Sequence, residues 1–563
     1  LFMTVNYKGQ TFMTDNDLDV SEIGTNPKWN IMDDELREIF QRDFGRDFLA
    51  GDEIIGYRQS LVAGEKDFRT LENEILADIK NSGRPLRDMV FDKIATGVGR
   101  GHSMGGLAEV SLWINGTKMI DSGLTGLVAS RSLVTSSRRR GARVDEIVIP
   151  ESLLNREDLV DEYLEISRGV FDVSELFKRE FGESKGKELF NKLIPYNNPA
   201  NLYYKISLDT MATLAFEVKN DRLNKNGNFI PRELWKLVDM YPNLAEKAGI
   251  GVMYKQRVQV PRDTYFHYTV FKDPALPNYA LENARMRDMP LCPIVIDVYK
   301  DFTAGFRKGL RNLEAVFRKT RMVNNPEELA DKSMESMFTL RDFVGEYNGS
   351  LRLTISDSLS WRVWSEQKRH ATLRQNVESV YSAAERAYKI LKPLWLKIKR
   401  INNGELDLDS KLIEKFEKAI FVDNRLKKKN ELFIPYIYHT ARQLMFYGKL
   451  IEDGFEARDA LYIVPKNIRV RTLESYDLIN LIDLEHPLRL CSTCEPERYA
   501  TSWEKRRIIA DVVPELKFFL EPKCNIGYCT EGRSCGHVSK LRKGNYSEEL
   551  HKGTKRVILS RAR

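Results

Sequence analysis

The chain repeats one order of segments, and that order restricts what it can fold into. A strand-like run, Glu109-Val110-Ser111-Leu112-Trp113-Ile114, leads into the turn pair Asn115-Gly116; in the second half Asn348-Gly349 precedes Leu351-Arg352-Leu353-Thr354-Ile355. Ile120-Asp121-Ser122-Gly123-Leu124-Thr125 resembles Ile355-Ser356-Asp357-Ser358-Leu359-Ser360. Leu234-Trp235-Lys236-Leu237-Val238, leading to Val260-Pro261-Arg262, resembles Leu444-Met445-Phe446-Tyr447-Gly448-Lys449-Leu450, leading to Val464-Pro465-Lys466. A tandem duplication with an insertion inside the first copy would produce both matches. Such a chain buries within one molecule an interface that a homodimer forms between two. The expected fold is α/β (α+β mixed), each copy a sheet packed with helices. The expected limits are a helical extension over 1–95, a divergent domain over 96–325, a better-preserved domain over 326–540 and a basic tail over 541–563.

Local signals predict helices over Asp33–Asp43, Asp67–Ile79 and Leu124–Ser137, and one from Leu359 towards Lys389 capped by Asp357 or Ser358. The glycine-rich patch Gly97 to Gly106 lacks the third glycine spacing of a dinucleotide fingerprint and reads as a loop.

Composition narrows the function. With 42% hydrophobic and 30% charged residues in 563, the chain reads as globular. It contains no apolar run of about 18 residues and no signal-like N-terminus, so a cytoplasmic protein without a membrane span is expected. The formal charge of +7, from 88 basic and 81 acidic residues, suits an anionic small molecule at least as well as a polymer of phosphates, and a dedicated nucleic-acid binder usually shows a stronger, clustered excess, so nucleic acid is an unlikely partner. The basic runs Ser136-Ser137-Arg138-Arg139-Arg140 and Arg425-Leu426-Lys427-Lys428-Lys429 read as solvated loops or helix ends. Five of six cysteines, Cys491, Cys494, Cys524, Cys529 and Cys535, are clustered; Cys292 stands apart. They offer enough thiolates for a structural zinc site, with His537 nearby. Unligated buried thiols and an iron–sulfur or redox role remain open.

The segment Arg369 to Tyr381 carries the sharpest chemistry. On a helix, Arg369, Thr372, Asn376 and Ser379 would form one stripe offering a cation, hydroxyls and an amide, a set suited to phosphate and a pyrimidine ring. A solvent-facing helix carrying the Arg374–Glu378 pair is the competing reading.

Arg369-His370-Ala371, then seven residues, then Ser379 resembles the signature of the flavin-dependent thymidylate synthases: Arg-His-Arg, seven residues, Ser. Asn376 matches the common asparagine of the spacer. Tyr447 to Gly454, Ala457-Arg458 and Val464-Pro465-Lys466-Asn467 resemble the family's downstream segments, and Arg489-Leu490-Cys491 with Trp503-Glu504 the stretch that closes the site. Residues from Cys524 to Gly536 resemble a cysteine-bearing tail of longer members. The resemblance covers about 326 to 540 well and about 95 to 300 faintly. It implies FAD, NADPH and methylenetetrahydrofolate, with deoxyuridine monophosphate as the pyrimidine nucleotide acceptor, in a homodimer of duplicated chains. Arg369 and His370 would contact flavin or folate and count with Ser379 as the catalytic set. His102, Glu109 and Asn376 would add flavin contacts; Ser379, Arg374, Asn480 and Arg489 would hold the nucleotide. The sequence departs from the pattern at Ala371 and Tyr381, where arginines are expected, and at Glu474, where an asparagine is. Arg374 and Arg386 could replace the lost cations. In the first copy Arg138-Arg139-Arg140 lies near the signature position, and the residue after seven more is Val148, not Ser. A relative with altered or lost activity, and a zinc-stabilised nucleic-acid-binding protein, are the alternatives.

Overall fold

The computed structural model describes residues 4–16, 18–25, 34–35, 38–39, 42, 68–85, 109–119, 130–135, 146–207, 211, 229–247, 271, 273–274, 281, 291–367 and 372–561. Two compact units share the chain: Leu1–Leu276 with Ser379–Ile468, and Pro277–Glu378 with Arg469–Arg563. Neither is a single stretch of sequence.

Up to residue 276 the elements are β1 (Thr4–Tyr7), β2 (Gln10–Thr14), β3 (Asp19–Thr25), α1 (Phe68–Ser82), β4 (Glu109–Thr117), β5 (Ser130–Thr135), β6 (Val148–Ile149), α2 (Glu157–Gly169), α3 (Asp172–Phe181), α4 (Glu183–Leu193), β7 (Pro199–Ser207) and α5 (Arg232–Lys247). The second unit then begins with β8 (Ile294–Lys300), α6 (Ala304–Thr320), α7 (Pro326–Tyr347), β9 (Leu351–Ser360), α8 (Trp361–Gln367) and β10 (Arg374–Val377). The chain returns to the first unit for α9 (Val380–Leu391), α10 (Trp395–Asn402), α11 (Ser410–Ala419), α12 (Asn430–Glu452) and α13 (Ala457–Leu461). It finishes the second with β11 (Arg469–Asp477), α14 (Leu478–Ile482), α15 (Glu485–Arg489), α16 (Pro496–Val512), α17 (His537–Leu541) and α18 (Glu548–Arg561). The fold is mixed α/β, as expected, and among the described residues no helix is long and apolar enough to cross a membrane.

Each unit holds a four-stranded antiparallel sheet, ordered β3-β4-β7-β5 in the first and β8-β9-β11-β10 in the second. In both, the last strand in chain order inserts between the second and third. The agreement extends to register. Thr117 faces Pro199 at the end of the β4–β7 ladder, and Ser360 faces Arg469 at the same end of β9–β11. Counted from that end, the two first strands carry a bulge at the same place: between Glu22 and Gly24 opposite Leu112 and Ser111, and between Val295 and Asp297 opposite Ile355 and Thr354.

A buried carboxylate closes each sheet at that end. The Thr117 backbone N–H (3.1 Å) and hydroxyl (2.8 Å) donate to Glu233 on α5. The Ser360 N–H and hydroxyl donate to the two oxygens of Glu497 on α16, both at 2.6 Å. Within the first unit the stretches before β7 and β11 pair antiparallel, Pro195 opposite Pro465, with Tyr196 N–H on the Val464 carbonyl (3.2 Å) and Asn197 N–H on that of Tyr462 (2.8 Å).

The core of the second unit follows from helical spacing. Phe306, Leu310, Leu313 and Phe317 form one face of α6 and pack with Leu340 and Phe343 of α7 against Leu351, Leu353 and Ile355 of β9. Thr303 and Asn325 cap these helices through their side chains, and Pro326 opens α7 where no donor is needed.

Several local expectations change. The helix expected over Leu124–Ser137 is a strand over its described part, Ser130–Thr135. The helix expected from Leu359 towards Lys389 is divided among the end of β9, α8, β10 and α9; Asp357 and Ser358 are buried strand residues, not caps. The strand that starts at Leu351 continues to Ser360, buried throughout from Ile355, and is flanked by β8 and β11. Leu234–Val238 lies in α5 and Leu444–Leu450 in α12. Residues 120–125 and 260–262 lie outside the described residues. The helix expected over Asp67–Ile79 is α1.

Removing a hydroxyl from a buried carboxylate typically costs about 1–3 kcal/mol. Ser360→Ala is expected to lower the unfolding free energy by that order and Thr117→Ala to do the same. Unchanged denaturation midpoints for both would show that the two carboxylates do not hold the sheets.

Candidate functional site

Arg369, His370 and His102 lie outside the described residues, as do Arg138–Arg140 and the patch 97–106. Glu109 is the first residue of β4, its backbone opposite Ser207. From Thr372 onward the signature segment is visible, and it is not helical. Residues 374–377 form β10, which pairs antiparallel with β11: Arg374 opposite Ser475, Gln375 opposite Glu474, Asn376 opposite Leu473, Val377 opposite Thr472. The period of two replaces the helical stripe. Thr372, Arg374 and Asn376 are exposed, while Leu373 and Val377 are buried.

Asn480 joins this edge. Asp477 caps α14 by accepting from the Asn480 backbone N–H (3.0 Å) and also takes its side-chain amide (2.7 Å). The Thr372 hydroxyl donates to Asn480 Oδ1 at 2.8 Å, and Asn480 Nδ2 donates back to the Thr372 carbonyl at 3.2 Å. Thr372 and Asn480 are thus brought together across a long stretch of sequence. Arg489 is buried nearby in the chain, with Nε on Glu485 (3.0 Å) and Nη2 on the Glu366 carbonyl (3.1 Å).

Ser379 opens the return to the first unit. It is buried at the N-terminus of α9, where its carbonyl accepts from Ala383. Tyr381, where an arginine is expected, is a core residue. Its hydroxyl donates to the Phe229 carbonyl at 2.6 Å, and its ring meets Phe229 edge-on. Arg386 is half-buried and donates to the Lys418 carbonyl.

Behind β10 the second unit buries a charged cluster that no local pattern announces. Asp357, Glu474 and Glu485 supply three carboxylates; Arg489, Arg498 and Lys505 supply three cations. Lys505 bridges Asp357 (2.8 Å) and Glu474 (2.6 Å). Arg498 reaches Glu485 (3.3 Å) and the Tyr476 hydroxyl (3.2 Å), and that hydroxyl donates to Glu474 (2.6 Å). Burial pushes the Glu474 carboxyl up, but Lys505 and Arg498 outweigh it and hold the pKa at about 2. Asp357, with less cationic compensation, stays above the usual carboxylate range because of its burial. Glu474 is where the resemblance expects an asparagine; an anion fits because two buried cations neutralise it.

Two polar side chains near this cluster have buried atoms without a hydrogen-bond partner. Gln375, opposite Glu474, has both amide atoms buried and unpaired. His486 is fully buried with both ring nitrogens unpaired, and burial, then Arg498 and Lys505, lower its pKa to about 3.

The cysteines divide. Cys491, Cys524, Cys529 and Cys535 line one cavity; Cys494 does not, and its thiol, raised by burial, lies by Arg489. Among the described residues no group of three or more His, Cys, Asp or Glu side chains stands close enough to hold one metal ion, so the five-cysteine zinc site expected from spacing is not assembled. All six cysteines are free thiols. A larger cavity of about 970 Å³ opens in the first unit among Arg168, Phe171, Phe190, Asn191 and His439. Sequence spacing gave no sign of it, since its lining comes from four separate helices and the β1–β2 hairpin.

No family model matches the chain. A mixed α/β chain with a polar strand edge over a buried ion cluster nonetheless has curated relatives. A protein of Pyrococcus furiosus named flavin-dependent thymidylate synthase is 28% identical over 125 residues, 21% of this chain and 50% of that protein. One of the same name from Sulfurisphaera tokodaii is 30% identical over 120 residues (21% and 44%), and one from Geobacter sulfurreducens 28% over 98 residues (17% and 42%). The chain is a distant relative of the flavin-dependent thymidylate synthases, spanning about half the length of the curated relatives it matches.

His486 makes a pH prediction. Its folded pKa is depressed, so between about 3 and 6.5 the unfolded chain binds the proton and the folded chain does not. Stability from this group is complete above pH 6.5 and is lost as pH falls. From pH 6.5 to pH 5 that amounts to about 2 kcal/mol. The His486→Phe variant should lack this component in unfolding measurements; an identical pH slope would rule out a buried neutral imidazole.

Proposed function

We propose that the chain is a flavoprotein that methylates deoxyuridine monophosphate to thymidylate, and that it carries two copies of one fold. The observation that carries the first part is the edge where the Arg369-His370…Ser379 segment becomes strand β10. It presents Thr372, Arg374 and Asn376 outward, the last with a side-chain amide. A uracil ring and a flavin ring each have an N–H flanked by carbonyls, which such an amide can pair, and Arg374 suits a phosphate. The donor set therefore fits both groups.

In this reading bound FAD, once reduced by NADPH, would supply the hydride that turns a methylene group from methylenetetrahydrofolate into the methyl group. The side chains bind and orient. Arg369 and His370 hold the flavin or folate, with His102, Glu109 and Asn376 as further flavin contacts. Arg374, Asn480 and Arg489 hold the nucleotide, and Ser379 the ring or its phosphate. Asn480 is positioned by Asp477 and Thr372, which leave one lone pair of Oδ1 for a ligand N–H.

The shared strand order, the coincident bulges and the paired Thr117–Glu233 and Ser360–Glu497 contacts support the duplication. A homodimer would then present four copies. The sheet registers also support another alignment of the copies. Thr135 faces Leu202 as Val377 faces Thr472. Counting on, Ser137 corresponds to Ser379 and Arg139 to Tyr381, in place of the correspondence of Val148 with Ser379. The first copy thus keeps the arginine that the second has replaced, and the copies divide the signature between them.

A second reading, a relative with altered or lost activity, is favoured by Tyr381, whose hydroxyl is committed to the core. Purified protein supplied with deoxyuridylate, methylenetetrahydrofolate and NADPH separates the two: thymidylate formation supports the first, and flavin absorbance without product the second. Losing a hydrogen bond to a charged group costs about 1.5–3 kcal/mol, roughly tenfold to a hundredfold. Ser379→Ala is expected to cut turnover by that factor with flavin retained; undiminished turnover would remove Ser379 from the site. Arg139→Ala is expected to raise the KM for deoxyuridylate by a similar factor, and an unaltered KM would refute the division between copies.

A further inference from the structure

The cavity of about 970 Å³ in the first unit is as large as the roomier small-molecule sites of proteins, and it shares no residue with the β10 edge. Its wall joins α2, α3, α4, α12 and the β1–β2 hairpin. Phe12, Leu164, Phe171 and Phe190 give it an apolar surface, and Phe171 meets Phe190 edge-on with ring centroids 5.3 Å apart. Gly169 of α2 leaves room for the His439 imidazole of α12, which lies 3.4 Å from where a Cβ would stand.

Asn191 belongs to the same wall. It is 3% exposed, and among the described residues its amide nitrogen has no hydrogen-bond partner. Buried polar groups in native proteins are nearly all paired, so an amide left open beside a cavity of this size favours an occupant with an acceptor.

The charges of the lining decide the class of occupant. Lys8 pairs with Asp161 (2.5 Å), Arg442 with Glu165 (2.7 Å), Lys178 with Glu175 and Lys187 with Glu183. Arg168 differs. Among the described residues it has no carboxylate partner; it donates to Gln10 Oε1 and lies over the Phe12 ring, 5.6 Å from the centroid. A guanidinium has five N–H donors, so most of these stay open. Asp172 is the lining carboxylate without a cation partner among the described residues, but it is exposed to water, whereas Arg168 is half-buried. At His439, which burial first holds neutral with a pKa of about 4, the charge of Arg442 outweighs that of Asp172. The field inside the cavity therefore favours an anion. A guanidinium on an aromatic face, beside an apolar wall, suits a planar molecule that ends in a carboxylate or phosphate.

We propose that this cavity binds a small aromatic anion, its ring system against Phe171 and Phe190 and its charged group on Arg168.

The test is calorimetric titration of the full chain with three probes that share one ring system: 2-naphthoate, 2-naphthalenemethanol and 2-naphthylmethylamine. The expected result is one site per chain that takes 2-naphthoate roughly tenfold or more tightly than the amine. Arg168→Gln should weaken 2-naphthoate by roughly tenfold to a hundredfold, as expected for a lost hydrogen bond to a charged group, and leave 2-naphthalenemethanol unchanged. Asp172→Lys, at an exposed position of the lining, should tighten 2-naphthoate. Circular dichroism confirms the folding of each variant. Absence of saturable binding, preference for the amine, or unchanged 2-naphthoate affinity in either folded variant would each overturn the proposal. The titration needs no turnover, so its result is separate from that of the thymidylate assay.

Discussion

The second unit depends on Lys505 standing between Asp357 and Glu474. That ammonium comes from α16, while its partners come from the two central strands, β9 and β11. Three buried carboxylates meet three buried cations, so the cluster is neutral as a whole. Desolvation of such groups costs several kcal/mol each, and their attraction repays it only while every partner is present. The arrangement therefore specifies one docking of α16 on the sheet more than it adds stability. It also forms the floor beneath β10, since Glu474 lies directly opposite Gln375.

The same logic recurs at the end of each sheet. A strand's last hydroxyl and N–H are met by a glutamate from a following helix, Glu233 in one unit and Glu497 in the other. These helices hold their sheets through polar contacts that have geometry, where apolar packing alone would tolerate sliding. The coincidence of bulge, register and carboxylate is more demanding than strand order, because many antiparallel sheets share an order.

The sequence disclosed the elements whose pattern is local. Leu351, Leu353 and Ile355 alternate, and β9 is where they lead; Phe68–Ser82 is helical where periodicity places it. The signature segment was harder. Thr372, Arg374 and Asn376 are polar at spacing two, while Thr372, Asn376 and Ser379 are polar at helical spacing, so both periods fit. Pairing with β11, nearly a hundred residues later, decides in favour of a strand, and no window along the chain contains that information. The buried ion cluster was hidden for a related reason. Each of its members looks like a surface residue until the others arrive from distant segments. Cysteine spacing showed a cluster, but only the folded tail separates Cys494 from the four that share a cavity. Gly-rich residues 97–106 and the Arg369-His370 pair lie outside the described residues.

The pairing of Pro195 with Pro465 has a further consequence. In an assembly of identical subunits, a residue on the symmetry axis meets its own duplicate, and any substitution is felt on both sides at once. Here the two strands that meet are encoded separately. The next position is Tyr196 on one and Lys466 on the other, both buried. Each side of this contact can therefore change in sequence while the other stays as it is.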